Sequence, residues 1–218
     1  EGKPNMLDVS PAIMPYRPRI LNPRDEPEIL DRLRALPGTL VCDTMVEQLQ
    51  DLMQTRNPGR TVSEVELDRL VHEHLESLSP TEYGSWVYYP WSQRLVHLLP
   101  EAEFVELRTN RNQYKISPAE QHRLATRRVG VVGLSVGHAV AMTLALERGC
   151  GELRLADFDA LDLSNLNRIR TGVHNLSVPK VVLTAREISE TDPYLRVVCY
   201  AEGLTEANME AFFDAHGR

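Results

Sequence analysis

The chain has 218 residues, 42% of them hydrophobic, and a formal net charge of −7. That is enough apolar material for one sizeable core and a second small one. The acidic balance excludes nucleic acid as the main partner, since phosphate backbones call for dense Lys and Arg faces. No apolar run approaches the roughly 20 residues that span a bilayer and no signal peptide is visible, so a cytoplasmic protein with no membrane partner is expected. Cys42, Cys150 and Cys199 are sparse, odd in number and without metal spacing; they suit a reducing compartment and are expected to be packing residues.

In chain order, the proline-rich stretch from Pro4 to Pro27 reads as an extended arm lying on another surface. Glu28 to Leu36 is helical and Thr39 to Cys42 a short strand. Thr44 to Arg56 is an amphipathic helix with Met45, Val46, Leu49, Leu52 and Met53 on its apolar side, ended by Asn57-Pro58-Gly59. Ser63 and Glu66 have capping-box spacing and open a helix to about Leu78. The pair in His72-Glu73-His74 is two apart, about 200° around a helix, where metal ligation wants a spacing of four; an exposed helical face is expected instead. Tyr83, Trp86, Tyr88, Tyr89 and Trp91 then cluster. Trp86 to Tyr89 reads as a strand packing this first unit onto the next, the other reading being a recognition surface for a peptide or aromatic ligand.

A boundary near residues 100–106 divides the chain into 1–105, a mostly helical α+β unit, and 106–218. Ser117-Pro118-Ala119-Glu120 starts a helix, with serine as N-cap and proline at the first helical position. Val129 to Val132 is β-branched and short, as for a parallel strand buried on both faces. Gly133-Leu134-Ser135-Val136-Gly137 leads into a small-residue helix from Ala139 to Arg148. Leu153 to Ala156 is the second strand, and Asp157 stands at its carboxyl end, the place for a ribose-binding acid in a doubly wound sheet. A phosphate fits at the start of the first helix, where unpaired N–H groups and the macrodipole favour anions. Pro179-Lys180 opens the next helix, closed by Asp192-Pro193, before a strand from Arg196 to Tyr200 and a helix from Thr205 to about Ala215.

The glycines alone are weak evidence, since their spacing also marks an ordinary turn. The polar set after the second strand is more informative: Asp157-Phe158-Asp159, then Ser164-Asn165-Leu166-Asn167-Arg168, then Lys180. ATP carries about four negative charges, and a carboxylate attacking its α-phosphate adds another anion, so cations must offset the repulsion. Arg168 and Lys180 can supply them, Asp157 can hold the ribose hydroxyls, and Asn165 can donate to a phosphate or orient the arginine. The plainer reading makes Asp157 and Arg168 a surface ion pair, Asn165 a turn cap and Lys180 a solvated first-turn residue.

Residues 108 to 210 resemble the ThiF/MoeB/E1-like adenylation domain, whose members activate ubiquitin-like and sulfur-carrier proteins. The matching text is Val131-Val132-Gly133, Asp157-Phe158-Asp159, Ser164 to Arg168, Pro179-Lys180 and Asp192-Pro193, where the family usually has Asn-Pro. The resemblance implies a Rossmann-like doubly wound α/β sheet. It puts the ribose-binding aspartate at Asp157, the phosphate-binding arginine at Arg168 and the conserved lysine at Lys180. Arg108-Thr109-Asn110-Arg111-Asn112-Gln113 resembles the family's Arg-Tyr-Asn-Arg-Gln entry, which makes Arg111 a residue acting in trans on a partner's ATP and implies a homodimer. The activity implied is ATP-dependent adenylyl transfer with Mg²⁺. It would activate the C-terminus of a small carrier protein or peptide and release pyrophosphate, with Gly133, Ser135, Gly137, Asp157, Asn165, Arg168 and Lys180 at the nucleotide.

The departures lie in the glycine loop. The family's Gly-x-Gly-Gly-Leu-Gly is here Gly133-Leu134-Ser135-Val136-Gly137-His138, and Ile169 stands where a Gln usually follows the arginine. The family also continues with a strand and a metal-holding aspartate beyond the position of Arg218, so an incomplete sheet and a fragment of a longer protein are expected. The first hundred residues resemble those preceding the adenylation domain in some bacterial ThiF-like proteins, some of which carry a C-terminal nitroreductase-like domain. Two other functions remain open: an NAD-dependent oxidoreductase using Asp157 for the ribose, and a degenerate dimerisation or docking module.

Overall fold

The computed structural model describes residues 15–59 and 62–213. Most of the predicted N-terminal arm, before Pro15, and the last helix beyond Phe213 lie outside the described residues. The chain forms two compact units, Pro18–Ser117 and Pro118–Arg218, the second joined by the segment ending at Arg17.

The first unit contains β1 (Arg19–Leu21), α1 (Pro27–Arg34), β2 (Leu40–Asp43), α2 (Met45–Arg56), α3 (Glu64–Leu75), β3 (Ser85–Tyr89), β4 (Arg94–Leu98) and α4 (Glu101–Thr109). Its sheet has the order β1-β3-β4-β2, with β1 and β4 antiparallel to β3 and β2 parallel to β4. The unit runs on to Ser117 rather than stopping near 105 because α4 is packed into it. Phe104 and Leu107 lie against the cluster of Met45, Leu49, Leu52, Met53, Val71, Leu75 and Leu99. Arg56 reaches across from α2 to Glu106 at 2.7 Å and Glu103 at 3.4 Å, which holds the Glu106 carboxyl below its ordinary range.

The aromatic strand serves the core of its own unit. Trp86 is buried with Leu21, Leu30, Leu33 and Leu95, stacked on His97 at 4.2 Å, with the Arg34 guanidinium 4.5 Å from its ring. Neither expected role of that strand, unit-to-unit packing or an exposed recognition surface, describes Trp86. His72-Glu73-His74 also differs in part from expectation: His72 and Glu73 are exposed, whereas His74 is half-buried, 2.9 Å from both the Tyr83 hydroxyl and Glu103. Tyr83 donates to the other oxygen of Glu103 at 2.8 Å, and burial together with that carboxylate pushes its phenol well above the ordinary range.

The second unit contains α5 (Pro118–Ala125), β5 (Arg128–Val132), α6 (Gly137–Leu146), β6 (Glu152–Ala156), α7 (Lys180–Thr191), β7 (Arg196–Tyr200) and α8 (Glu206–Phe213). Strands β5, β6 and β7 pair in parallel in that order, with Val131, Leu155 and Cys199 in one row and Gly130, Arg154 and Val198 in the next. Alternate residues face opposite sides of a sheet. On one side Val131 and Leu155 pack with Ala141 and Ala145 of α6 and Val181, Ala185 and Ile188 of α7. On the other, Phe212 of α8 lies over Gly130, and Arg154 donates to the carbonyls of Ala211 and Phe212. Helices thus cover both faces, the doubly wound arrangement the sequence predicts.

The described end of the arm lies on α7. Arg186 donates to the Pro15 carbonyl at 2.8 Å, and Tyr16 packs against the core under that helix. Asp192, where a family Asn is expected, is fully buried; it accepts from the Tyr194 and Leu195 amides, and Arg148 at 3.0 Å offsets its charge. Cys150 is buried and Cys199 half-buried, and burial pushes their thiols up to about 11 and about 12, as befits packing residues. Cys42 departs from that expectation: it is exposed, because β2 is an edge strand all of whose residues are exposed.

Candidate active site

A cleft of about 480 Å³ opens at the carboxyl ends of the three parallel strands. It is lined by Val132, Gly133, Ser135 and Val136 after β5, Ala156 to Asp159 after β6, and Gly203 and Leu204 after β7. This is where open α/β sheets bind ligands, since the loops there diverge and the helix N-termini point inward. Three of the predicted residues, Gly133, Ser135 and Asp157, line it directly.

Asp157 is the keystone. It is 8% exposed, and both carboxylate oxygens are engaged: Oδ2 accepts from the Leu134 amide at 2.6 Å and Oδ1 from the Asp159 amide at 2.8 Å. One acid therefore ties the loop after β5 to the loop after β6, and each oxygen keeps lone pairs for a ligand hydroxyl. Gly133 takes φ +80°, the left-handed conformation that turns the chain off β5 at no steric cost to glycine. Gly137 sits behind the cleft at the start of α6, where a Cβ would come within 2.7 Å of Val131.

Two of the changed loop positions, Val136 and His138, diverge in direction. Val136 is 73% exposed at the mouth, whereas His138 turns away, is 4% exposed, and meets Glu187 of α7 at 2.6 Å. The imidazole thus clamps α6 onto α7, the helix that begins with Lys180. His138→Ala and Glu187→Ala each remove one partner of this bond. Each is expected to lower unfolding free energy by about 1–3 kcal/mol, measured by urea denaturation; unchanged midpoints would show that the pair carries no weight.

Lys180 is 3% exposed at the start of α7, and its Nζ donates to Asp159 Oδ2 at 2.8 Å. It is therefore not the solvated first-turn residue of the plainer reading. Its position is set by a short antiparallel ladder: Lys180 donates its amide to the Asp159 carbonyl, Ala160 bridges Pro179, and Leu161 donates to Val178. Leu161, Ile169 and Leu183 form a small core beneath, so Ile169 serves packing where the family has a Gln.

The remaining predicted residues are less convergent. Asn165 is buried as the partner of Asp162 in a capping box, its Oδ1 accepting from the Asp162 amide at 3.1 Å. Arg168 is exposed, with Nη1 donating to Ser164 O and Asn167 Oδ1, while Asp157 accepts from the Leu134 and Asp159 amides, so the Asp157–Arg168 ion pair of the plainer reading does not form. Arg111 belongs to the first unit, exposed on a 3₁₀ turn from Asn110 to Tyr114. Sequence reasoning assigned no role to Phe158, Gly203, Leu204 or Glu187. The carboxyl-end position of the first three is the signal that points to them.

Among the described residues no three His, Cys, Asp or Glu side chains converge as a metal cluster, and no helix is long and apolar enough to cross a membrane.

Parallel strands, a glycine turn into a helix and an acid at the end of the second strand define an α/β unit of the nucleotide-binding type. Residues 108–216, half of the chain, match the ThiF family, and the protein belongs to it. An uncharacterized protein of Mycobacterium tuberculosis is 40% identical over 190 residues, 87% of this chain and 24% of its own length. The tRNA threonylcarbamoyladenosine dehydratase of Bacillus subtilis is 32% identical over 107 residues, 48% of this chain and 42% of its own. Among solved structures, the E. coli tRNA N6-threonylcarbamoyladenosine dehydratase TcdA in complex with ATP is 24% identical, covering 50% of this chain and 45% of its own, with a TM-score of 0.47. This chain therefore spans less than half the length of either curated relative.

Proposed function

We propose that the protein is an ATP-dependent adenylyltransferase that activates an acyl carboxylate, the C-terminus of a small ubiquitin-like or sulfur-carrier protein or of a peptide. A carboxylate oxygen attacks the α-phosphorus, the bond from that phosphorus to the bridging oxygen breaks, and pyrophosphate leaves with its electron pair. The observation that carries this reading is the joining of a buried acid and a buried lysine through the loop of Asp157-Phe158-Asp159, beside the glycine turn. A plain dinucleotide fold has no need of the lysine.

In this reading Asp157 holds the ribose, the Gly133 to Gly137 turn receives phosphate with help from the Ser135 hydroxyl, and Lys180 exchanges Asp159 for the α-phosphate. Arg168 is exposed on its turn and swings onto the phosphates when they are present, Asn165 shaping that turn through its cap. Arg111 acts on the nucleotide of a second copy, which makes the active form a homodimer. Mg²⁺ enters as the ATP complex, held chiefly by phosphate oxygens, as this ion commonly is; it neutralises phosphate charge.

Calorimetry with Mg·ATP and with NADH on the full-length protein tests the reading. ATP binding without NADH binding is the expected result. NADH binding alone would replace adenylation with hydride transfer, and binding of neither would leave a docking module.

A further inference from the structure

We propose that Phe158 is the base-stacking residue of the cleft and makes it selective for purine over pyrimidine nucleotides. The inference rests on the nucleotide reading and adds a specificity determinant to it. Strand order sets the layout. The glycine turn follows β5, Asp157 follows the central strand β6, and Gly203-Leu204 follow β7. With phosphates at the glycine turn and a ribose at Asp157, the base extends toward the β7 side, where the Phe158 ring lies. A Cβ on Gly203 would come 3.0 Å from Phe158 Cδ1, so the ring rests over the turn after β7 and the glycine leaves it room.

Phe158 is 79% exposed although it sits between two acids, one of them buried, in a unit whose core lies elsewhere. A single exposed aromatic is ordinary on a surface. This one lines the cleft together with Leu204, and the two supply an apolar wall on the side away from the phosphates. Such a wall offers a π-face and no side-chain hydrogen bond, so it recognises a base by stacked area, which is larger for a purine.

The test is the affinity of the full-length protein for Mg·ATP and Mg·CTP, in wild type, Phe158→Ala, Phe158→Leu and Phe158→Trp. Because the ring is mostly exposed, all three variants are expected to keep the wild-type melting transition. Loss of base–aromatic stacking is expected to weaken ATP about 5- to 150-fold in the alanine variant. CTP should weaken less, so the ATP-to-CTP preference narrows. Leucine should behave like alanine, and tryptophan should restore the preference and show fluorescence quenching on ATP addition. Equal ATP affinity in wild type and Phe158→Ala, or an equal fall for both nucleotides, overturns the stacking role while leaving the nucleotide reading standing. Failure of the wild type to bind either nucleotide overturns the nucleotide reading, and this inference with it.

Discussion

Lys180→Ala is expected to lower ATP–pyrophosphate exchange driven by a peptide carboxylate by about 10²–10³-fold, the loss typical when one preorganised charge-stabilising donor is removed. The lysine is suited to this because it is 3% exposed and its ammonium lies 2.8 Å from Asp159, so its charge is weakly screened once it passes from that carboxylate to the phosphate. The Asp159 side chain is 52% exposed, so after the substitution its carboxylate is hydrated rather than stranded, and the cost to folding comes from the space the buried lysine stem leaves rather than from an unpaired charge. Lys180→Met separates charge from packing: it keeps an apolar stem in the buried channel and loses the ammonium. Exchange should fall as far in this variant as in the alanine one. Full exchange in the methionine variant would show that Lys180 acts by filling space, and full exchange in both would remove it from the mechanism.

The second unit was legible in the sequence because its signals are local. A β-branched run and a glycine turn mark β5 and the entry to α6, although α6 starts at Gly137 rather than Ala139 and β5 is largely exposed rather than buried on both faces; Pro179 marks the start of α7 because its ring fits just before a helix. The first unit was less legible. β1 has three residues, too few for alternation to show, and the turn between β3 and β4 hides behind Gln93, which takes φ +49° without the usual glycine or asparagine. The site divided along the same line. Asp157 and Lys180 stand at element ends, where position alone suggests a role. His138 looked only like a lost glycine, since its partner Glu187 is remote in sequence and no local pattern announces a pair between two helices. Asn165 was ambiguous for a chemical reason: an Asx side chain that can reach a phosphate can equally cap the turn it starts from, and here the cap is made.

Asp157→Ala is expected to abolish detectable ATP binding in calorimetry, through two losses that can be separated. The first is structural. The carboxylate accepts from Leu134 and Asp159, and without it two amides beside the glycine turn lose a charged partner, at a cost of about 1.5–3 kcal/mol each at most. The second is direct, the contact with the ribose. Asp157→Asn keeps one acceptor oxygen but presents an NH₂ group to the other amide, so it should be intermediate in stability and still weak in binding. Comparing ATP with 2′-deoxy-ATP isolates the direct term. A hydroxyl bonded to an ionised acid is worth about 10- to 150-fold, so wild type should prefer ATP by a factor in that range and Asp157→Asn should prefer it far less. If the asparagine variant keeps the wild-type preference, the ribose hydroxyl is held by another group, and Asp157 serves the cleft only as the clasp between its two loops.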